Sequence, residues 1–264
     1  MKDGHILTLS CPDRPGIVHA VSGFLLEQGG NILEAGQFDD RDTGLFFMRV
    51  HFAAPAHLAD AATLGNLFGH VREQFGMNAR IHALARKPRL LLMVSKHGHC
   101  FNDLLFRWRS GWLNVDIPAI VSNHPDYAEL AASYGIPFHH LPLPTGSPAE
   151  VKRAQERQVE ALVAEQGIDL VVLARYMQVL SDDLCRKLQG RAINIHHSFL
   201  PSFKGAKPYY QAHDRGVKLI GATAHYVTAD LDEGPIIEQD VERVDHTLTP
   251  EDFTAVGRDV ECVV

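Results

Sequence analysis

The sequence predicts an α/β protein in two parts: a small α+β domain over residues 1–84, then an open, mostly parallel α/β domain over residues 85–264. Three observations carry this expectation. Residues 5 to about 83 read as strands and helices in the order βαββαβ. The segment Ala85-Arg86-Lys87-Pro88-Arg89 is basic, proline-containing and non-periodic, as a linker is. Beyond it, short apolar runs alternate with helical periodicities, the pattern of a sheet flanked by helices. A length of 264 residues suits two domains at roughly 100–200 residues each.

In the first part, His5–Ser10 reads as a strand, and Cys11-Pro12-Asp13-Arg14-Pro15-Gly16 opens a helix. Asp13 is the expected N-cap, with Pro15 tolerated in the first turn. Ile17, Val21, Phe24 and Leu25 then recur at helical spacing, and Gly29-Gly30 ends the helix. A strand over Asn31–Phe38 and a polar turn over Asp39–Gly44 follow. Leu45–Phe52 alternates, with Phe46, Met48, Val50 and Phe52 on one face and Phe47, Arg49 and His51 on the other. A helix over about His57–Gln74 and a strand over Asn78–Leu84 complete the ferredoxin-like split βαβ order.

In the second part, Leu90–Val94 is a continuous apolar run, suited to a parallel strand covered on both faces. Further strands are expected at Ile117–Val121, Ile136–Leu141, Leu170–Leu173 and Ala192–Ile195, then an antiparallel pair at Lys218–Tyr226 and Ile236–Val241. Helices fit His99–Arg109, Asp126–Tyr134, Pro148–Glu165, Ser181–Leu188 and Pro250–Val264. The last keeps its apolar period at Phe253, Val256, Val260 and Val263 with no C-cap, so it reads as a chain cut in mid-helix.

Composition narrows the function. The formal net charge is -7, against the basic excess of a nucleic-acid binder. No apolar run approaches the roughly 20 residues of a membrane span, and the N-terminus lacks a signal-peptide pattern. Cys11, Cys100, Cys185 and Cys262 stand far apart with no CxxC pair, which argues for a reducing cytoplasm rather than a disulfide framework or zinc knuckle. Sixteen histidines raise the question of a metal, with His97-Gly98-His99, His139-His140 and His196-His197 as clusters. None sits in an H-E-x-x-H helix or beside a cysteine pair, so no metal site is expected.

The chemistry concentrates in Ala192-Ile193-Asn194-Ile195-His196-His197-Ser198-Phe199-Leu200-Pro201 and Asp230-Leu231-Asp232-Glu233-Gly234-Pro235. Side chains two apart on a strand point the same way, so Asn194 and His196 can converge on one substrate atom. A carboxylate from the second loop can orient the imidazole or take a proton from water. An amide, an imidazole and a carboxylate suffice to stabilise an oxyanion and activate water, which points to acyl chemistry. Each alone has a plainer reading: Asn-x-His on a strand is usually structural, and Asp in a glycine turn is usually turn chemistry.

Together with Lys204-Gly205, these runs resemble the formyltransferase catalytic domain. It serves glycinamide ribonucleotide formyltransferase, methionyl-tRNA formyltransferase and 10-formyltetrahydrofolate deformylase. In the first part, Asp13-Arg14-Pro15-Gly16-Ile17-Val18 and Gln28-Gly29-Gly30-Asn31-Ile32 resemble the ACT domain, a small module that commonly binds amino acids and pairs with copies of itself. A formyltransferase domain behind an ACT-like module is similar to the deformylase branch. The resemblance implies hydrolysis of 10-formyltetrahydrofolate to formate and tetrahydrofolate, the alternative being formyl transfer to an amine acceptor.

By the same resemblance the catalytic residues fall on Asn194, His196 and Asp232. Arg175, Met177, Gln178, Val179 and Leu180, after the strand Leu170–Leu173, line the pterin pocket. Read from their positions, His197, Ser198 and His225 are candidates for touching the substrate. His197 neighbours the triad but its side chain is expected on the opposite face of the strand. Ser198 either has a direct role or caps or hydrogen-bonds the loop, and His225 either faces the site or simply packs. Asp13, Gly16 and Asn31 either hold an effector or partner chain or only make the turn and cap. No cofactor is implied; the folate is substrate and product. The implied partners are that folate, an amino-acid effector, and further copies of the chain as a dimer or tetramer, with no nucleic acid and no membrane. The first loop of the second part, Ser95-Lys96-His97-Gly98-His99-Cys100-Phe101-Asn102, has one glycine where the ribonucleotide-using transferase has a glycine-rich phosphate cradle. Water is therefore the expected acceptor. Lys96, His97 and the basic loop Lys204–Pro208 are candidates for holding an anion.

Overall fold

A computed structural model describes residues 4–58, 60–144, 146–203 and 207–264. The chain divides into two compact units, Met1–Lys87 and Pro88–Val264.

The first unit contains β1 (His5–Pro12), α1 (Ile17–Glu27), β2 (Asn31–Asp40), β3 (Leu45–Ala53), a 3-10 turn at Ala56–Leu58, α2 (Ala61–Leu67), α3 (Gly69–Phe75) and β4 (Asn78–Ala83). Its antiparallel sheet runs β2-β3-β1-β4. The register pairs Leu7 with Val50 and Leu9 with Met48, so both strands turn one apolar face to Ile17, Val21, Phe24 and Leu25 of α1. Three details depart from expectation. The N-cap of α1 is Gly16, at φ 98, and Asp13 caps nothing: a left-handed turn that glycine adopts freely starts the helix instead. The single helix over His57–Gln74 is a 3-10 turn and two helices parted at Phe68, with Asp60 capping α2 by accepting from the Thr63 amide at 2.8 Å. His51 is buried rather than facing out with Phe47 and Arg49.

The second unit contains β5 (Arg89–Val94), α4 (His99–Arg109), β6 (Asp116–Ser122), α5 (Ala128–Ser133), β7 (Phe138–His140), α6 (Ala149–Glu165), β8 (Leu170–Leu173), α7 (Asp182–Lys187), β9 (Ala192–His196), α8 (Pro208–Asp214), β10 (Leu219–Tyr226), β11 (Ile236–Arg243) and α9 (Pro250–Val263). The sheet order is β11-β10-β9-β8-β5-β6-β7. Strands β5 to β9 are parallel, and β10 and β11 add antiparallel on one edge. Apolar clusters cover both faces, which is why β5 reads as an unbroken apolar run. β7 is shorter than the expected Ile136–Leu141. Pro137 offers the ladder only an acceptor, taken by the Ile120 amide at 2.9 Å. α8 was not expected; Pro208 starts it. Helix α9 carries a full capping box between Thr249 and Asp252, with Pro250 in the first turn.

This topology places the site. The chain lays down β5 in mid-sheet, builds β6 and β7 to one side, and returns to build β8 and β9 on the other. The connections leaving β5 and β8 thus diverge and open a crevice at their C-terminal ends, where ligands bind in such sheets. The Ser95 amide donates to the Arg175 carbonyl at 3.2 Å across this divide.

Candidate active site

Strand β9 delivers Asn194 and His196 on one face, and β10 pairs against it with His225 opposite Asn194 and Thr223 opposite His196. Side chains directly opposite on antiparallel strands touch. Asn194 Nδ2 lies 3.2 Å from His225 Nε2, and His225 Nδ1 lies 3.0 Å from the Tyr226 carbonyl. The pattern fixes the tautomer: Nδ1–H donates to the carbonyl, and the Nε2 lone pair accepts from the Asn194 amide. Burial holds the His225 pKa below its ordinary value, so this ring is neutral. One amide N–H of Asn194 is thereby spent on orientation and the other is left for a ligand.

Asp232 comes from the loop between β10 and β11. Its Oδ1 lies 3.2 Å from His196 Nδ1 and 3.8 Å from His225 Nε2. Asp232 stands in the left-handed region at φ 58, which Asp tolerates better than most residues. Gly234 lets this loop close on β10. A Cβ there would stand 1.7 Å from the Tyr226 carbonyl oxygen, while the Tyr226 amide donates to the Pro235 carbonyl at 2.9 Å. The hydrogen bond from His196 holds the Asp232 carboxyl below its ordinary range against the opposing effect of burial. His196 Nε2 is buried and makes no hydrogen bond to a described residue. A buried ring nitrogen with no hydrogen-bond partner among the described residues therefore stands beside a partly free amide N–H, with a carboxylate behind the imidazole.

These groups share a cavity of about 300 Å³ with Arg175, Tyr176, Met177, Gln178, Val179 and Leu180. The segment that forms this wall is held at three points. Ser95 Oγ accepts from the Met177 amide at 2.9 Å and donates to Asn123 Oδ1 at 2.6 Å. Gln155 Nε2 donates to the Tyr176 hydroxyl at 2.9 Å. Glu156 Oε1 accepts from the Ser181 amide at 2.7 Å.

The other expected residues divide. His197 lines the cavity too, with its ring centroid 5.3 Å from that of His196. The opposite-face expectation fails because β9 ends at His196, and alternation does not extend past it. Burial, then Arg175, pull the His197 pKa down to about 3. Ser198 does not line this cavity; its hydroxyl donates to the Ser202 carbonyl at 2.8 Å and shapes the loop. In the first unit, the Asp13 amide donates to the Gly44 carbonyl at the β1–β3 end, beside Gly16. Asn31 opens β2 opposite Ala53, level with His5, so the three are not gathered in one place. Lys204, Gly205 and Ala206 lie outside the described residues.

Gly98 is the N-cap of α4, and a Cβ there would stand 2.2 Å from the Tyr127 ring. Where a phosphate cradle would leave space, this loop is packed by a tyrosine whose hydroxyl donates to the Lys96 carbonyl at 2.9 Å.

Sequence reasoning also missed a buried cluster beside the site. Glu261 of α9 meets His99 Nε2 at 2.7 Å, the Tyr209 hydroxyl at 2.8 Å and Arg175 Nη1 at 3.3 Å. Burial opposes ionisation of Glu261, but His99, Arg175 and Tyr209 outweigh it and keep the carboxylate charged. The signal was legible: Glu261 falls on the apolar stripe of its helix, with Phe253, Gly257 and Val260. His99, Cys100 and Glu261 place possible ligand atoms within 4.8 Å of one another. As a metal site the cluster fits poorly. The Arg175 guanidinium already neutralises the carboxylate, and a hydrogen bond to Cys262 together with burial keeps the Cys100 thiol protonated.

Fold and site define a class. Residues 88–264 match the Formyl transferase family and residues 5–63 the ACT domain family. A formyltetrahydrofolate deformylase of Corynebacterium sp. (strain P-1) is 52% identical over 260 residues, 98% of this chain and 89% of its own length. The crystal structure of a formyltetrahydrofolate deformylase from Burkholderia mallei superposes with a TM-score of 0.92 at 54% identity, covering 99% of this chain and 91% of that one. A phosphoribosylglycinamide formyltransferase from Anaplasma phagocytophilum superposes with a TM-score of 0.60 at 31% identity, covering 67% of this chain and 83% of that one. The chain belongs to the formyltetrahydrofolate deformylase family.

Proposed function

We propose that this chain hydrolyses 10-formyltetrahydrofolate to formate and tetrahydrofolate, and that Asn194, His196 and Asp232 carry the chemistry. The observation that supports these roles is the convergence of the free Asn194 N–H and the unpartnered His196 Nε2 in one cavity, with Asp232 on the far imidazole nitrogen. Water attacks the formyl carbon. The oxyanion accepts from Asn194 Nδ2–H and His196 Nε2–H, a preorganised pair of donors. Asp232 supports the positive charge on His196 and takes the proton from water. That proton then goes to the departing folate nitrogen as the C–N bond breaks, and the formic acid released gives its remaining proton to solvent to become formate. The wall from Met177 to Leu180 holds the pterin, and no cofactor or metal enters the scheme.

Formyl transfer to an amine is the second reading, favoured by likeness to the phosphoribosylglycinamide formyltransferase. The Tyr127 ring packed on Gly98 weighs against it, since a phosphorylated acceptor loses its backbone cradle there. Turnover in 18O-labelled water separates the two. Hydrolysis puts one labelled oxygen into formate; a requirement for an added amine contradicts it.

The finer partners are proposals as well. The ACT-like unit binds an amino acid at the Asp13–Gly16 loop. Copies assemble through β2, an edge strand exposed along its length that carries Ile32, Leu33 and Phe38. Among the described residues no helix is long and apolar enough to cross a membrane, and the four cysteines are unpaired, which supports a reducing cytoplasmic setting.

A further inference from the structure

A second cavity, of about 550 Å³, adjoins the first within the C-terminal unit, and the two share Arg175, Met177 and His197 as a common wall. Arg175, Lys207 and Arg258 face Glu251 and Glu261 across it, so one positive charge is unmatched. His97 and His197 also line it, and both are neutral because burial, then Arg175, lower their pKa values.

Both carboxylates are engaged. Glu261 accepts from His99 and Tyr209, and Glu251 accepts from the Tyr210 hydroxyl at 3.0 Å. Arg175 is not. It is only 8% exposed, its ion pair with Glu261 is 3.3 Å long, and its Nε and Nη1 donate no hydrogen bond to any described residue. A buried guanidinium with open donors is costly, and its planar fork matches a carboxylate.

The reaction makes such an anion. Formate forms beside the ionised Asp232, which repels it, while tetrahydrofolate still fills the first cavity. We propose that the second cavity is the product-side subsite, which binds formate at Arg175, draws it outward with Arg258 and Lys207, and admits water. The product role rests on the hydrolytic reading above; the carboxylate site itself does not.

Thermal unfolding of the folate-free chain in sodium formate, against sodium chloride, phosphate and glutamate at matched ionic strength, tests the site without turnover. Formate should raise the Tm where chloride does not, and Arg175→Gln should weaken formate binding about ten-fold or more, as loss of a charged hydrogen bond does. Arg258→Gln lies on the exposed rim, keeps the test alive if Arg175→Gln fails to fold, and should weaken binding by a smaller factor. During turnover, formate should inhibit non-competitively against the folate, and Arg258→Gln should relieve this without changing inhibition by tetrahydrofolate. Formate no better than chloride, stabilisation by phosphate or glutamate alone, or wild-type formate binding in both variants would overturn the proposal. Formate binding by a chain that releases no formate from the folate would overturn the product role and the hydrolytic reading, and leave the carboxylate site standing.

Discussion

His225 explains how an asparagine becomes a directional donor. The neutral ring fixes which way the Asn194 amide faces, because its own Nδ1–H is committed to the Tyr226 carbonyl. Asn194→Ala should lower kcat about 10²–10³-fold with folate binding retained, the usual cost of one oxyanion donor. His225→Phe keeps the ring's bulk and removes the acceptor; it should lower kcat less, with KM nearly unchanged. A KM effect larger than the kcat effect would place His225 with binding instead. Asn194 and His196 were legible because a period of two needs no tertiary information. The fixed amide was not, since it depends on which residue of a later strand pairs with Asn194, and His197 misled because the strand ends beside it.

Helix α6 and the loop after β5 act as supports for the Arg175–Leu180 wall of the cavity. Removing the Ser95 hydroxyl leaves the Met177 amide and Asn123 short of a partner, at a cost of about 1–3 kcal/mol. Ser95→Ala should therefore raise KM for the folate several-fold with a smaller effect on kcat, in steady-state assays. Gly234→Ala acts on the other side of the cavity. Its Cβ has no room against the Tyr226 carbonyl, so the Asp232 loop must lift. It should cost kcat about as much as Asp232→Asn, with the circular dichroism of the fold preserved. At this scale the order of elements was largely legible, because apolar runs and helical periods announce themselves. The break at Phe68, the Gly16 cap and α8 were not. Each rests on a local backbone choice or a proline-led turn whose worth is set by packing.

Across the whole molecule, imidazoles whose pKa values the fold lowers set the response to acid. His97, His197 and His225 all have pKa values lowered from 6.5 in the folded chain, that of His197 to about 3. Below pH 6.5 the unfolded chain binds protons that the folded chain refuses, so stability falls as pH falls. Asp232 acts in the same direction. Its lowered pKa gives stability present above the ordinary carboxylate value and lost as pH drops through the folded value. Tm should therefore decline from pH 7.5 to pH 5 by calorimetry, and His197→Gln should flatten the decline; a Tm constant over that range would contradict it. The ACT-like unit supplies a separate test. An amino acid that binds there should shift Tm or kinetics, and a panel without effect would remove the effector.

In the proposed reaction water, activated at Asp232 and attacking a carbonyl held by Asn194 and His196, is the acceptor. The most direct measurement incubates the purified chain with 10-formyltetrahydrofolate alone and follows formate. Stoichiometric formate without any amine, lost about 10²–10⁴-fold in Asp232→Asn while folate binding persists, is the predicted result. No formate until an amine is added, or undiminished release by Asp232→Asn, would contradict it.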